Sequence, residues 1–141
     1  CTYTGIEVKI LATDISTTVL NTAKKGEYKT ESVAPLPLAW KNNYFEKIDD
    51  SKSRVVDKIK NEVIFSAFNL MSPVFPFKRK FHVIFCRNVM IYFNAETKKT
   101  LVEKFYDAIE PGGFLFVGHS ESLNRDESNF KYVKPAVYRK E

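Results

Sequence analysis

The chain is poor in the residues that make irregular or cross-linked proteins, with two Cys, five Gly, six Pro, two Met and one Trp among 141 residues. Two cysteines exclude a disulfide framework. A Cys1–Cys86 bridge would need close Cβ atoms, and reduced thiols in a cytoplasmic protein are the expected state. Few Gly and Pro, beside 12 Phe and 7 Tyr, exclude a disordered or low-complexity chain. No apolar run approaches the roughly 20 residues that cross a bilayer, and the first residues lack the charged-then-apolar pattern of a secretory signal, so no membrane insertion is expected. His82 and His119 have no third ligand at metal spacing, which leaves no metal site to propose. Charge of one sign is also missing: 22 Lys and Arg stand against 17 Asp and Glu, for a net +5. The basic clusters, such as Lys78-Arg79-Lys80, read as solvated surface. Aromatics do not interleave with them as in a nucleic-acid groove, so nucleic acid is not the expected partner; an acidic protein surface suits them as well.

What is present is an alternation of strand and helix. With 44% hydrophobic residues the chain can bury one sizeable core, and one domain is the default expectation. A strand over 8–15 runs into Asp14, and a helix over 16–25 follows, capped by Ser16 and stopped by Gly26. Between 28 and 61 the pattern weakens; residues 44–48 and 55–59 are expected to pair as a hairpin across an exposed turn, forming a β-subdomain inserted at about 40–62. Strands over 62–68 and 81–86 are near-continuously apolar, which suits strands covered on both faces. A helix over 95–110, capped by Asn94, carries a stripe of Leu101, Val102, Phe105, Ala108 and Ile109, and Pro111-Gly112-Gly113 is expected to end it. A strand over 114–117 and a closing antiparallel pair over 130–139 complete an α/β fold with a mostly parallel sheet and an antiparallel edge.

Polar residues gather at the carboxyl ends of these strands: Asp14, Asn69, Arg87-Asn88 and His119-Ser120-Glu121. Open α/β sheets bind ligands at that end, and an acid closing a strand can accept hydrogen bonds from nucleoside hydroxyls. Each residue also has a plain structural reading. Asp14 can simply cap the following helix, Asn69 and Asn88 can hold their own turns, and Tyr92 can pack its ring while wetting its hydroxyl. Only seven residues precede Val8, so an upstream strand with its Gly-rich turn does not fit ahead of it. The chain thus reads as a nucleotide-type domain cut inside its cofactor site.

The segments Ala12-Thr13-Asp14-Ile15, Asn69-Leu70, Cys86-Arg87-Asn88-Val89-Met90-Ile91-Tyr92-Phe93 and Gly118-His119-Ser120-Glu121 resemble those of the chemotaxis receptor methyltransferases, the CheR family, in order and spacing. The resemblance implies a class I methyltransferase, Rossmann-like fold that uses S-adenosylmethionine and yields S-adenosylhomocysteine. It implies that Asp14 binds the ribose, Asn69 and Leu70 flank the adenine, Arg87 and Asn88 line the methionine side, and Tyr92 serves as the catalytic residue near the sulfonium. The implied reaction is methyl transfer to glutamate side chains on the cytoplasmic helices of methyl-accepting chemoreceptors. A non-catalytic receptor-binding module of the same fold, or a methyltransferase with another substrate, are the alternatives.

Relative to that family the chain starts after the N-terminal helical domain and after the first strand and turn that wrap the cofactor. Little activity is therefore expected of the chain alone. The absent strand would lie between those ending at Asp14 and Arg87, so the two are expected to pair directly, to rearrange, or to borrow a strand in a swapped homodimer. Residues 46–60 lack the Gly-rich hairpin of family members that tether to a receptor peptide, which argues against tethering here.

Overall fold

The structure, a computed structural model, describes residues 5, 8–123 and 128–141. Cys1 lies outside the described residues; Cys86 is a free, buried thiol. The chain gathers into two compact units, Cys1–Asn69 and Leu70–Glu141.

In the first unit β1 (Ile10–Asp14) leads into α1 (Thr17–Lys25). The Ser16 hydroxyl accepts the Val19 N–H at 3.3 Å, satisfying one of the orphan donors of the first turn. Gly26 ends the helix at φ 64, a left-handed conformation that costs glycine little because it has no Cβ. There follow β2 (Glu27–Lys29), α2 (Thr30–Val33), α3 (Leu38–Tyr44), β3 (Phe45–Lys47), β4 (Lys52–Val55), α4 (Asp57–Lys60) and β5 (Val63–Ala67). β1 and β5 pair in parallel with Asp14 opposite Ala67, and α1 packs on them. A parallel pair requires a crossover, here α1 together with an antiparallel sheet of order β2-β4-β3.

The expected hairpin forms with a different second strand. Residues 52–55 pair with β3, and Asp57–Lys60 is helical instead of extended. Asp49 explains the shift: its Oδ1 accepts both the N–H and the hydroxyl of Ser51 at 2.7 Å, so the chain reverses before Lys52. This side-chain turn needs no glycine. Glu46 and Arg54 stand opposite each other in this register, and their carboxylate and guanidinium meet at 3.2 Å, an exposed pair that adds modest support. A third strand, Glu27–Lys29, joins the sheet from ahead of residues 40–62.

The second unit runs β6 (Phe81–Cys86), a 3-10 turn at Met90–Tyr92, α5 (Ala95–Ala108), β7 (Ile109–Val117), β8 (Lys131–Lys134) and β9 (Val137–Arg139). Its sheet has the order β6-β7-β9-β8, parallel between β6 and β7 and antiparallel beyond. Asn94 caps α5 by accepting the Thr97 N–H at 2.9 Å. Leu101, Val102 and Phe105 of α5 meet Cys86, Met90, Ile109, Leu115 and Val117 in the core.

Here α5 stops at Ala108, two residues before the expected end, and the Pro111-Gly112-Gly113 segment lies inside β7. The backbone is already extended at Ile109, a core residue. The chain's end supplies the partners: the Gly112 N–H donates to the Lys140 carbonyl at 2.8 Å, and the Lys140 N–H to that of Gly113 at 2.9 Å. Cover on both faces is also not found. Ile64 of β5 is 59% exposed and Phe85 of β6 is 70% exposed, because α1 and α5 each cover one face of their strands. Among the described residues the strand partner of β1 is β5, and that of β6 is β7.

Leu115 is 0% exposed, so Leu115→Ala is expected to cost about 2–5 kcal/mol, the usual range for emptying a core leucine site. Phe85→Ala, on the open face, is expected to cost about 1 kcal/mol or less, chiefly its 4.7 Å stacking on Phe116. Urea midpoints of the two variants at unchanged slope provide the comparison.

Candidate functional site

Parallel pairing sends both strands of a pair toward the same end, so the residues that follow them are brought together there. In the first unit these are Asp14, the last residue of β1, and Asn69, two positions beyond β5. Asp14 is half-buried, and its Oδ1 accepts the Ser16 N–H at 2.8 Å, so it does support the helix start. A carboxylate has two acceptor oxygens, and the same side chain can also receive ribose hydroxyls. Asn69 is exposed at the strand end.

In the second unit Arg87, Asn88 and Tyr92 share one loop at the tip of β6. Arg87 and Asn88 are exposed, and Tyr92, closing the 3-10 turn, is 81% exposed. Met90 between them is buried and anchors the loop in the core. Leu70 is half-buried and packs against that core, a structural role that the sequence did not suggest. His119 and Ser120 are exposed at the tip of β7.

Sequence reasoning assigned no role to Glu121, which the structure puts at the centre of this loop. It is buried, 7% exposed, and its carboxylate accepts backbone N–H groups from Gly118 at 2.6 Å, Asn88 at 3.0 Å and Ile91 at 3.2 Å. Its sequence signals were its place in the strand-end cluster His119-Ser120-Glu121 and in the segment shared with the family, neither of which marks what it binds. Burial acts to raise the Glu121 pKa, but the N–H donors of Gly118, Asn88, Met90 and Ile91 together outweigh it and hold the carboxyl below its ordinary value. Cys86 shows the opposite case. Burial, with the Glu121 charge adding to it, pushes the thiol up to about 12.

A hollow of about 520 Å³ opens in the small antiparallel sheet region, lined by Thr30, Val33, Ala34, Lys41, Asn42 and Phe45 among others. None of Asp14, Asn69, Arg87, Asn88 and Tyr92 is among its lining residues.

Two outcomes follow from these electrostatics. In a Cys1→Ser variant, a disulfide reagent such as Ellman's is expected to leave Cys86 unlabelled at pH 7–8 and to titrate it fully after unfolding; rapid labelling of the native protein would contradict its buried, protonated state. The folded-state pKa of Glu121 lies below its unfolded value of about 4.3, so its stabilisation is complete above that value and is lost as pH falls through the folded one. The stability gap between wild type and Glu121→Gln is therefore expected to be largest near neutrality and to close in acid, as read by urea melts across pH 7 to 3.

The CheR methyltransferase SAM binding domain family matches residues 2–139. A chemotaxis protein methyltransferase of Borreliella burgdorferi is 44% identical over 136 residues, covering 96% of this chain and 48% of the relative. Chemotaxis protein methyltransferase 2 of Vibrio cholerae is 39% identical over 126 residues, covering 89% of this chain and 44% of the relative. The chain thus spans about half the length of the curated relatives it matches. Among solved structures, the glycopeptide N-methyltransferase MtfA aligns at a TM-score of 0.49 and 13% identity over 77% of this chain and 36% of that one, too loosely to add weight. Parallel pairs with an antiparallel edge, polar strand ends and a family match across nearly the whole chain agree: the chain belongs to the CheR methyltransferase family, as its α/β SAM-binding domain.

Proposed function

We propose that the protein carrying this chain methylates glutamate side chains on the cytoplasmic helices of chemoreceptors, with S-adenosylmethionine as the methyl donor. The observation that carries the reading is the placement of Asp14 and of the Arg87–Tyr92 loop at the carboxyl ends of parallel strands, in a chain of this family. In this reading Asp14 accepts hydrogen bonds from the ribose hydroxyls with the carboxylate oxygen not engaged by Ser16, and Asn69 and Leu70 flank the adenine. Arg87 and Asn88, exposed at the tip of β6, hold the methionine side. The cofactor supplies an electrophilic methyl group on a sulfonium.

A glutamate carboxylate, with an ordinary pKa of about 4.3, is ionised at neutral pH and needs no general base to become a nucleophile. The protein's task is alignment, and well-oriented reactants can lower a barrier by about 7–11 kcal/mol. This suits a site made of positioning groups. Tyr92, exposed on its 3-10 turn, is free of the core and is assigned to the reacting end, where its hydroxyl orients the incoming carboxylate. The donor-rich Arg87 and the basic surface suit an acidic receptor helix.

The test is transfer of a labelled methyl group to a receptor cytoplasmic fragment. Asp14→Ala is expected to raise the Kd for S-adenosylhomocysteine about 10–100-fold, the loss expected for charge-assisted hydrogen bonds worth about 1.5–3 kcal/mol. Tyr92→Phe is expected to lower kcat with little change in that Kd. Base-labile methyl esters on receptor glutamates are the expected product; methylation of another residue type would sink the substrate assignment.

A further inference from the structure

We propose that Glu121 is a positioning residue of this methyltransferase site: its carboxylate sets the backbone of the 87–92 loop and thereby the aim of Asn88 and Tyr92. The inference rests on the function proposed above. Its geometry lies wholly within the second unit.

Oε2 of Glu121 accepts from Gly118 N at 2.6 Å and from Asn88 N at 3.0 Å, while Oε1 accepts from Ile91 N at 3.2 Å. One carboxylate thus ties the tip of β7 to two points of a loop 30 and 33 residues earlier in the chain. Val89, Met90 and Phe93 pack on the core and fix where that loop runs, but apolar contacts are non-directional and leave the N–H groups of Asn88 and Ile91 to be oriented by an acceptor. The carboxylate is that acceptor. It holds the N–H of Asn88, whose φ of 60 lies in the left-handed region that Asn adopts more readily than other residues with a Cβ. It also holds the N–H of Ile91, in the middle of the 3-10 turn that ends at Tyr92.

Three features show that the arrangement is built for a carboxylate. A charged acceptor matches a set of donors alone, whereas an amide would turn its own NH₂ against one of them. Gly118 leaves the space: a Cβ there would stand 2.6 Å from Glu121 Oε2 and 2.7 Å from Asn88 Oδ1. Third, Arg87, Asn88 and Tyr92 are all exposed, so core packing does not set their directions. Glu121 itself lies behind the loop, buried, and acts through it.

The experiment compares wild type, Glu121→Gln and Glu121→Asp in the protein carrying this chain, by calorimetric titration with S-adenosylhomocysteine and by native amide exchange without ligand. For Glu121→Gln the Kd is expected to rise about tenfold or more. Exchange should quicken at Asn88, Ile91 and Gly118 while α5 and the β7–β9 ladder stay protected, and Glu121→Asp should recover part of both effects. Wild-type affinity with unchanged exchange at those amides overturns the proposal. So does a uniform loss of protection across the unit at unchanged Kd, the mark of a merely structural role. If wild type itself binds no S-adenosylhomocysteine, the functional reading fails, while the exchange arm still decides whether the carboxylate holds the loop.

Discussion

Parallel pairing of strands is the constraint from which the rest of the structure follows. Two parallel strands cannot be joined by a tight turn, so each pair demands a crossover, and each unit supplies one: α1 with the small antiparallel sheet between β1 and β5, and α5 between β6 and β7. The same constraint makes both strands of a pair end on the same side. Polar residues in the loops after them therefore gather without any residue-specific attraction, as Asp14 and Asn69 do in one unit and the 87–92 loop with Gly118–Glu121 in the other.

The two charged side chains buried among the described residues of the second unit answer opposite backbone needs. Glu121 receives N–H donors at the strand tips. Lys140 donates to the carbonyls of Tyr106 at 2.6 Å and Ile109 at 3.0 Å, where α5 ends, and its ammonium lies 4.3 Å from the centre of the Tyr106 ring. Burying a charge is costly unless it is hydrogen-bonded, and both are. In each case the charge meets backbone groups at a loop or a helix end.

Much of the fold was legible because its signals are local. Ser16, Gly26 and Asn94 act on residues within one helical turn, and the apolar run of residues 81–86 is sufficient by itself to specify a strand. The errors arose where distant partners decide. The stop at Pro111-Gly112-Gly113 reads as a helix end, but Ile109 is drawn into the core and the end of the chain pairs with Gly112 and Gly113, so the strand begins earlier. The hairpin shifted because one carboxylate, that of Asp49, closed the turn sooner than alternation alone suggested. Of the candidate residues, Asp14, Asn69, Arg87 and Asn88 lie at strand ends, and Tyr92 follows in the loop after β6; Leu70 packs on the core as well.

The order of strands and helices, the acid closing the first strand and the family of the chain were determined by the sequence itself, since periodicity, capping and motif spacing are written in neighbouring residues. Which groups are tied across the sheet was decided only by the tertiary structure. Glu121 shows why: its hydrogen-bond partners at Asn88 and Ile91 are 33 and 30 residues away and use main-chain N–H groups, which every residue but proline has and no sequence pattern marks.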